Sequence, residues 1–219
     1  MDQPVNLLAG GSPGAAYRWL SACTRAPGHD LRDVHIVASI LALSLSEATS
    51  VGGQLGDSCG LAGCDLAMMA HDMFPHAVGE LRYWFADAAP PRAADEACLR
   101  SLLRGAAAEG TALQMILADM VARRCQRPNH LWQDLGLRHR GELSDLMTRH
   151  FPALAHRNRA DMKWKKFLYR TICRDEGFAL CLAPSCGECD DFEACFGEEG
   201  GESLLAHARR RLDAAASAA

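Results

Sequence analysis

The chain has 219 residues, of which 49% are hydrophobic and 23% charged, so it can bury a core and has an ordinary globular composition. Its formal net charge of −4 excludes a general electrostatic attraction to nucleic acid or to an acidic membrane surface. The N-terminal residues 1–6 lack the basic and apolar regions of a secretory signal, and no apolar run is long enough to predict a membrane span. We therefore expect a cytoplasmic protein whose ten cysteines are reduced thiols or metal ligands.

The first strong element is a helix that begins at Asp30. Residues 1–15 precede it as a flexible lead that contains glycine and proline. From Leu31 to Leu45 apolar residues recur at helical spacing and also occupy the other faces, so this helix should lie at the centre of the fold. A glycine-rich break is predicted at residues 49–60.

Further helices follow, each bounded by a proline or by a polar interval. The pattern predicts helices around residues 66–73, 81–85, 98–103, 113–121, 143–150, 161–172 and 202–216. Val, Ile and Thr together number only fifteen, and no segment alternates with period two. We predict an all-α, multi-helix bundle-like protein: a helical domain over residues 16–180, a cysteine-rich loop over 181–200, and a C-terminal helix and tail over 201–219.

One short pattern occurs twice. The spacing from Leu66 to Phe74-Pro75 matches the spacing from Leu143 to Phe151-Pro152, and each copy is preceded by a Leu-Gly pair and a longer helix. This repetition is consistent with duplication of a helical hairpin and equally with chance.

The highest density of potential metal ligands lies in the cysteine-rich loop. Cys181, Cys186, Cys189 and Cys195 follow a C-x4-C-x2-C-x5-C spacing, with Pro184 and Gly187 supplying turns that let the sulfurs converge. Thiolates are soft ligands for zinc, copper(I) and iron–sulfur clusters. The first three cysteines follow the C-x4-C-x2-C run of plant-type ferredoxins, so the spacing favours an iron–sulfur cluster.

Structural zinc is the main alternative, and a loop without metal is the other. Common zinc sites use two short pairs separated by a dozen or more residues, whereas this loop has one C-x2-C pair and no histidine between its outer cysteines. A disulfide pair is disfavoured by the expected compartment. The cysteines therefore indicate a soft-metal site and leave the metal open.

Charge is segregated on either side of this loop. From Arg157 to Arg170 there are six basic residues and one acid, whereas from Asp175 to Glu202 there are nine acids and no lysine or arginine. Lys163, Lys166 and Arg170 share one helical stripe, which we call the basic stripe; it could attract an oxyanion or an acidic partner protein, or be an ordinary solvated face.

Several motifs in the second half of the chain resemble the nitrogen-fixation protein family NifQ. The resemblance covers roughly residues 100 to 200. It is carried by His130-Leu-Trp-Gln-Asp-Leu-Gly-Leu, Glu142-Leu-Ser-Asp-Leu-Met, His150-Phe-Pro, Asp161-Met-Lys-Trp-Lys-Lys-Phe-Leu-Tyr-Arg and the cysteine-rich loop.

The resemblance implies an iron–sulfur protein that handles molybdenum. It implies that Cys181, Cys186, Cys189 and Cys195 bind a molybdenum–iron–sulfur cluster. Molybdenum, taken from molybdate or another source, would then pass to nitrogenase iron–molybdenum cofactor assembly. The implied recipients are the assembly scaffold and the nitrogenase iron protein. A ferredoxin-like electron carrier and a zinc-stabilised helical interaction module are the alternatives.

A few residues outside the loop are weaker candidates. Cys59 and Cys64 could bind a second metal with His71 or His76. His130 could contact an oxyanion or a partner together with the basic stripe, and His130 or His150 could complete a molybdenum coordination sphere, although structural roles are favoured for all of them. Cys173 could be a spare ligand but is better explained as a buried thiol. No catalytic triad, phosphate-binding loop or paired-carboxylate motif is present, so we expect a metal carrier rather than an enzyme.

Overall fold

A computed structural model describes residues 12–22, 28–85, 88–175, 199 and 203–205, and these ranges contain helices and no strand. The helices, in chain order, are α1 (Pro13–Ser21), α2 (Leu31–Val51), α3 (Leu55–Cys59), α4 (Gly63–Met73), α5 (Val78–Leu81), α6 (Ala94–Gly105), α7 (Ala112–Cys125), α8 (Leu131–Asp134), α9 (Arg140–His150), α10 (Pro152–Arg157) and α11 (Trp164–Asp175). Two 3₁₀ turns, Pro75–Ala77 and Arg82–Trp84, flank α5. The prediction of an all-α fold is confirmed for this part of the chain.

Helix α2 is the central element, as its sequence predicts. The Asp30 side chain caps its N-terminus by accepting from the backbone N–H of Arg32, and Gly52 ends it in the left-handed conformation. The helix is long and apolar enough to cross a membrane by length and composition alone. However, 67% of its apolar 18-residue segment is buried inside the fold, as expected for a core helix.

The repeated sequence pattern corresponds to a repeated structure. Helices α4 and α9 both span 11 residues and end at a fully buried phenylalanine, Phe74 or Phe151, whose backbone angles agree within a few degrees. A proline then starts the next helical turn in each copy, because its ring suits the first helical position. The order of a long helix, a short helix, an 11-residue helix and a proline-led turn is therefore common to α2–α4 and α7–α10.

Two glycines allow the two repeats, α2–α4 and α7–α10, to pack closely against each other. Gly60 follows α3 and Gly136 follows α8, and both have positive φ. A Cβ on Gly60 would lie 2.9 Å from the Asp119 carbonyl oxygen of α7, whereas one on Gly136 would lie 2.9 Å from the Ser39 carbonyl oxygen of α2. The short-helix corner of each copy thus packs against the long helix of the other, at a separation that a side chain would prevent.

A buried arginine ties this arrangement together. Arg124 of α7 donates from Nε to the Asp134 carbonyl at 2.6 Å and from Nη1 to the Ser58 carbonyl at 3.3 Å. Both terminal nitrogens also donate to the Glu47 carboxylate at 2.8 Å, and the Arg124 side chain is 1% exposed. One guanidinium therefore joins α7 to α2, α3 and α8.

Several local expectations need correction. Helix α1 begins at Pro13, inside the predicted lead, because Ser12 caps it and proline starts it. The predicted break at 49–60 contains α3, and the predicted helix near residue 84 is a series of short turns. The structure also adds α10 after Pro152. The predicted helix at 202–216 lies mostly outside the described residues.

Candidate metal centre

The four cysteines of the loop lie outside the described residues, and the structure describes the chain up to Asp175 before them and Glu199 after them. Helix α11 ends at Asp175, six positions before Cys181, and Glu199 is described four positions after Cys195. The cysteine ligands and the cluster therefore remain predictions. The structure describes the residues on either side of this loop in the chain, which are the end of α11 and Glu199.

Glu199 attaches the C-terminal side of the loop to the body. Its carboxylate oxygen Oε1 lies 3.2 Å from Nη1 of Arg140 and 3.6 Å from Nδ1 of His130, and its side chain is 4% exposed. An acid this well shielded from water is stable as a carboxylate only beside cationic or donating partners. The predicted site residue His130 thus contacts the chain that returns from the cysteines. It also begins α8, where its backbone N–H donates to Gln133.

Arg140 joins Glu199 to the segment that precedes α11. Its Nη2 donates to the carbonyl and the carboxylate of Asp161, both at 2.8 Å, and to the carbonyl of Met162 at 3.1 Å. Asp161 has a φ of 55°, a left-handed conformation that aspartate tolerates better than most residues. This arginine therefore fixes both the start of the basic segment and the return from the cysteine-rich loop. We call Arg140, His130 and Glu199 the loop anchor.

The basic stripe lies at the N-terminal half of α11 and just before it. Lys163 immediately precedes the helix and is half-buried, Lys166 is exposed, and Arg170 is half-buried. Lys163 and Arg170 both have interactions within the protein, so only part of the stripe is an ordinary solvated surface. A role in attracting an oxyanion or a partner remains a prediction.

The neighbouring Lys165 has a structural role that the sequence pattern did not reveal. Its ammonium donates to the Asp134 carboxylate at 2.5 Å and to the carbonyl of Arg127. Asp134 is nearly fully buried and also accepts from Asn129, so α11 is fixed to α8 by a shielded ion pair. Only the apolar and basic faces of α11 were apparent from its sequence, because the partners of Lys165 lie more than thirty positions away.

Comparison with known proteins agrees with the resemblance seen in the sequence. The family model described as NifQ matches residues 36–197, a span that includes all four loop cysteines. This chain belongs to the NifQ family. The family is one of nitrogen-fixation proteins, which gives the chain a role in nitrogen fixation.

Individual NifQ relatives support the assignment. The Protein NifQ homolog of Sinorhizobium fredii (strain NBRC 101917 / NGR234) is 38% identical over 177 residues, covering 78% of this chain and 74% of the relative. Protein NifQ of Rhodobacter capsulatus is 40% identical over 158 residues, covering 72% and 86%. Protein NifQ of Azotobacter vinelandii is 43% identical over 86 residues, covering 39% and 44%. No solved structure gives a significant match.

Cysteines in the helical body of this NifQ-family chain do not form a second metal site among the described residues. No three His, Cys, Asp or Glu side chains in those ranges are grouped to hold an ion, so Cys59 and Cys64 gather no further ligand there. Burial raises the pKa of Cys59 to about 12, and burial does the same for Cys125. Both thiols are therefore protonated and unreactive at neutral pH. Cys173 is half-buried against the core, as its helical position predicts.

His150 of the His150-Phe-Pro motif belongs to a buried charged cluster. Its Nε2 lies 2.9 Å from the Asp33 carboxylate, which also accepts from Arg149 at 2.5 Å. Burial alone would raise the pKa of Asp33, but hydrogen bonds with His150 and Arg149 hold it below its usual value. Its contact with Asp33 gives His150 a structural role in joining α9 to α2. A part in a molybdenum coordination sphere is a separate prediction.

Proposed function

We propose that this protein carries molybdenum as part of a molybdenum–iron–sulfur cluster and donates it to assembly of the nitrogenase iron–molybdenum cofactor. Cys181, Cys186, Cys189 and Cys195 would hold the cluster. The protein acts as a carrier and donor rather than as an enzyme. The observation that carries the proposal is a four-thiol loop within the span that matches the NifQ family model.

The chemistry of the loop suits such a cargo. Four thiolates from one loop satisfy the usual protein ligand count of a compact cluster. Nine acids and no lysine or arginine lie between Asp175 and Glu202. Negative charge near the sulfurs raises thiol pKa values and lowers the reduction potential of a bound cluster, so the loop favours an oxidised metal core.

The loop anchor supports the proposal, because Arg140 and His130 hold Glu199, which follows the cysteine-rich loop, at a defined position on the helical body. Glu199 rejoins the body only four residues after Cys195, and a shielded ion pair with Arg140 holds it there. Glu199, four residues after Cys195 in the chain, is thereby linked to α9 and, through Arg140 and Asp161, to the basic segment before α11.

Two partner interactions follow from the charge distribution. The basic stripe of Lys163, Lys166 and Arg170 attracts molybdate, which is an oxyanion. The acidic loop docks on a basic rim of the recipient, which we propose is the cofactor assembly scaffold or the nitrogenase iron protein. Complex formation should weaken as salt rises; an affinity independent of salt would count against this docking mode.

The test is metal content and visible absorption of protein purified without oxygen after growth on molybdate. Wild type should be brown, with several irons per chain and with molybdenum. Cys189→Ala should lose colour and metal, because it removes a central ligand. Cys64→Ala is the matched control, because it removes an exposed thiol of the helical body and should leave both unchanged.

The other outcomes identify the competing functions. Iron without molybdenum would favour a ferredoxin-like electron carrier. A colourless protein with one zinc would favour a zinc-stabilised interaction module and would exclude the cluster proposal. Equal metal loss in Cys64→Ala and Cys189→Ala would mean that the loop is not the specific site.

The basic stripe is tested separately. Replacing Lys163, Lys166 and Arg170 by alanine should slow molybdenum loading at low salt while leaving iron content unchanged. Since Lys163 and Arg170 have internal interactions, Lys166→Ala alone gives the variant with least effect on folding. Loading that is unchanged in the triple variant would remove the stripe from the proposal.

A further inference from the structure

A cavity on the helical body lies beside the residues that follow the loop anchor. It has a volume of about 480 Å³ and lies between α1, α2 and the corner after α8. Its lining includes Tyr17, Arg18, His35, Arg138, Ser203 and Leu205. The volume is within the range of small-molecule sites, which is roughly 300–1,000 Å³.

The charged lining residues of this cavity are cationic. Arg18 and Arg138 line it, and no carboxylate does among the described residues. Arg138 is already engaged, because its Nε donates to Glu142 at 2.5 Å. Arg18 is exposed and pairs with no acid in the part of the chain that the structure describes. Among those residues, the positive charge of Arg18 at the edge of the cavity has no acidic partner.

A series of hydrogen bonds fixes the orientation of the polar side chains along one wall of the cavity. Although burial would raise the pKa of Glu142, hydrogen bonds from the backbone and side chain of Arg138 hold it below its usual value. This carboxylate lies 3.3 Å from His35 Nε2, and His35 Nδ1 lies 2.7 Å from the Tyr17 hydroxyl. The Tyr17 oxygen and its ring are consequently held in one orientation beside the cavity.

Ser203 supplies an independent sign of a ligand. It is 5% exposed, lines the cavity, and its hydroxyl has no hydrogen-bond partner among the described residues. A buried hydroxyl without a partner costs free energy, so such groups are uncommon unless a ligand or water satisfies them. The Ser203 hydroxyl can therefore donate a hydrogen bond to a ligand that enters the cavity.

An adjoining cavity of about 460 Å³ has a mixed lining. It shares His35 and Arg138 and adds Arg32, but Glu142 and Asp145 line it as well. Carboxylates on that wall oppose an anion, whereas none of the described residues that line the first cavity is acidic.

We propose that the cavity of Arg18 and Ser203 binds a small organic anion. The anionic head contacts Arg18, Arg138 and the Ser203 hydroxyl, while an apolar body packs on Leu205 and the Tyr17 ring. A bare inorganic oxyanion would fill only a small part of 480 Å³ and would leave the apolar wall uncovered. The residues that line this site do not include the four cysteines, and the inference does not depend on the proposed function.

The test is calorimetric titration of the full chain with adipate and phenylacetate, and with sulfate and molybdate as inorganic anions. At least one carboxylate should bind more tightly than either inorganic anion. Ser203→Ala should weaken its binding about tenfold, because a hydrogen bond to a charged group is lost. It should leave thermal stability unchanged or raised, since that hydroxyl has no partner in the described part of the protein.

Arginine variants supply the second arm. Arg18→Ala should weaken carboxylate binding by roughly threefold to tenfold at low salt, with a smaller effect at high salt. Arg82→Ala is the matched control, because it removes one exposed arginine outside the cavity and should not change the affinity.

The remaining outcomes overturn the proposal. They are no carboxylate binding, tighter binding of molybdate or sulfate than of any carboxylate, and equal effects of Arg18→Ala and Arg82→Ala. Carboxylate binding should persist in Cys189→Ala. The failure of this proposal is therefore distinguishable from failure of the metal-carrier proposal.

Discussion

The carboxylate of Glu199 lies 3.2 Å from the guanidinium of Arg140, although 59 positions separate these residues in the chain. Because this pair is shielded from water, Glu199→Gln should reduce the free energy of unfolding by about 1–3 kcal/mol. Urea denaturation measures the change. Glu109→Gln, at an exposed carboxylate, is the control and should change stability little. Equal effects of the two variants would show that the loop anchor does not stabilise the fold.

Arg124 should be the most sensitive single arginine of the helical body. Arg124→Met keeps much of the side-chain volume but leaves the Glu47 carboxylate and two carbonyls without their shared donor. Glu47 is one-third exposed and still accepts from Arg127, so the loss comes mainly from the two carbonyls and should be about 1–3 kcal/mol. Thermal unfolding should show a large fall in Tm, whereas Arg82→Met at the surface should leave Tm nearly unchanged. A small effect at Arg124 would mean that water replaces its partners.

Gly136 tests the reciprocal packing of the two repeats. Gly136→Ala places a Cβ 2.9 Å from the Ser39 carbonyl oxygen and forces a side chain into a left-handed conformation. It should destabilise the protein by at least about 1 kcal/mol. The control is Gly105→Ala in α6, where a Cβ meets nothing within 4 Å and alanine favours the helix. Chemical denaturation should shift these two variants in opposite directions.

Thiol reactivity should separate the body cysteines by burial. Cys64 is exposed and should be alkylated by iodoacetamide in the native protein near neutral pH. Cys59 and Cys125, with pKa values raised to about 12 by burial, should remain unmodified until the protein unfolds. Mass spectrometry of peptides after timed quenching measures each site. Rapid modification of Cys59 in native protein would contradict the packing of α3 against α7.

Asp33 should contribute an acid-sensitive part of the stability. Its folded pKa lies below the ordinary value, so its contribution is complete above about pH 4, the unfolded pKa, and is lost as pH falls through the folded pKa. Asp33→Asn should therefore cost about 1–3 kcal/mol at pH 5 and progressively less below pH 4. Urea titrations across this interval measure the difference. If the stability difference between wild type and Asp33→Asn instead grew towards low pH, folding would not lower the pKa of Asp33, and the inferred direction of the shift would be wrong.

Much of the fold follows from local sequence. Phe74-Pro75 and Phe151-Pro152 stop two helices because a residue before proline avoids the helical conformation, and the apolar residues of α2 predict its central position. The short helices α3 and α10 were not predicted, because five or six residues are too few for a periodic pattern.

The all-α class, the principal helices and the NifQ family follow from the amino-acid sequence, because helical periodicity, proline positions and spaced motifs are all local properties. The same local motifs identify the four cysteines predicted to bind metal. The reciprocal packing of Gly60 and Gly136, the four helices joined by Arg124 and the contact of Arg140 with Glu199 emerge from the folded chain alone. These contacts join distant positions, and their partners are selected by the shape and low polarity of the assembled interior, which local patterns do not encode.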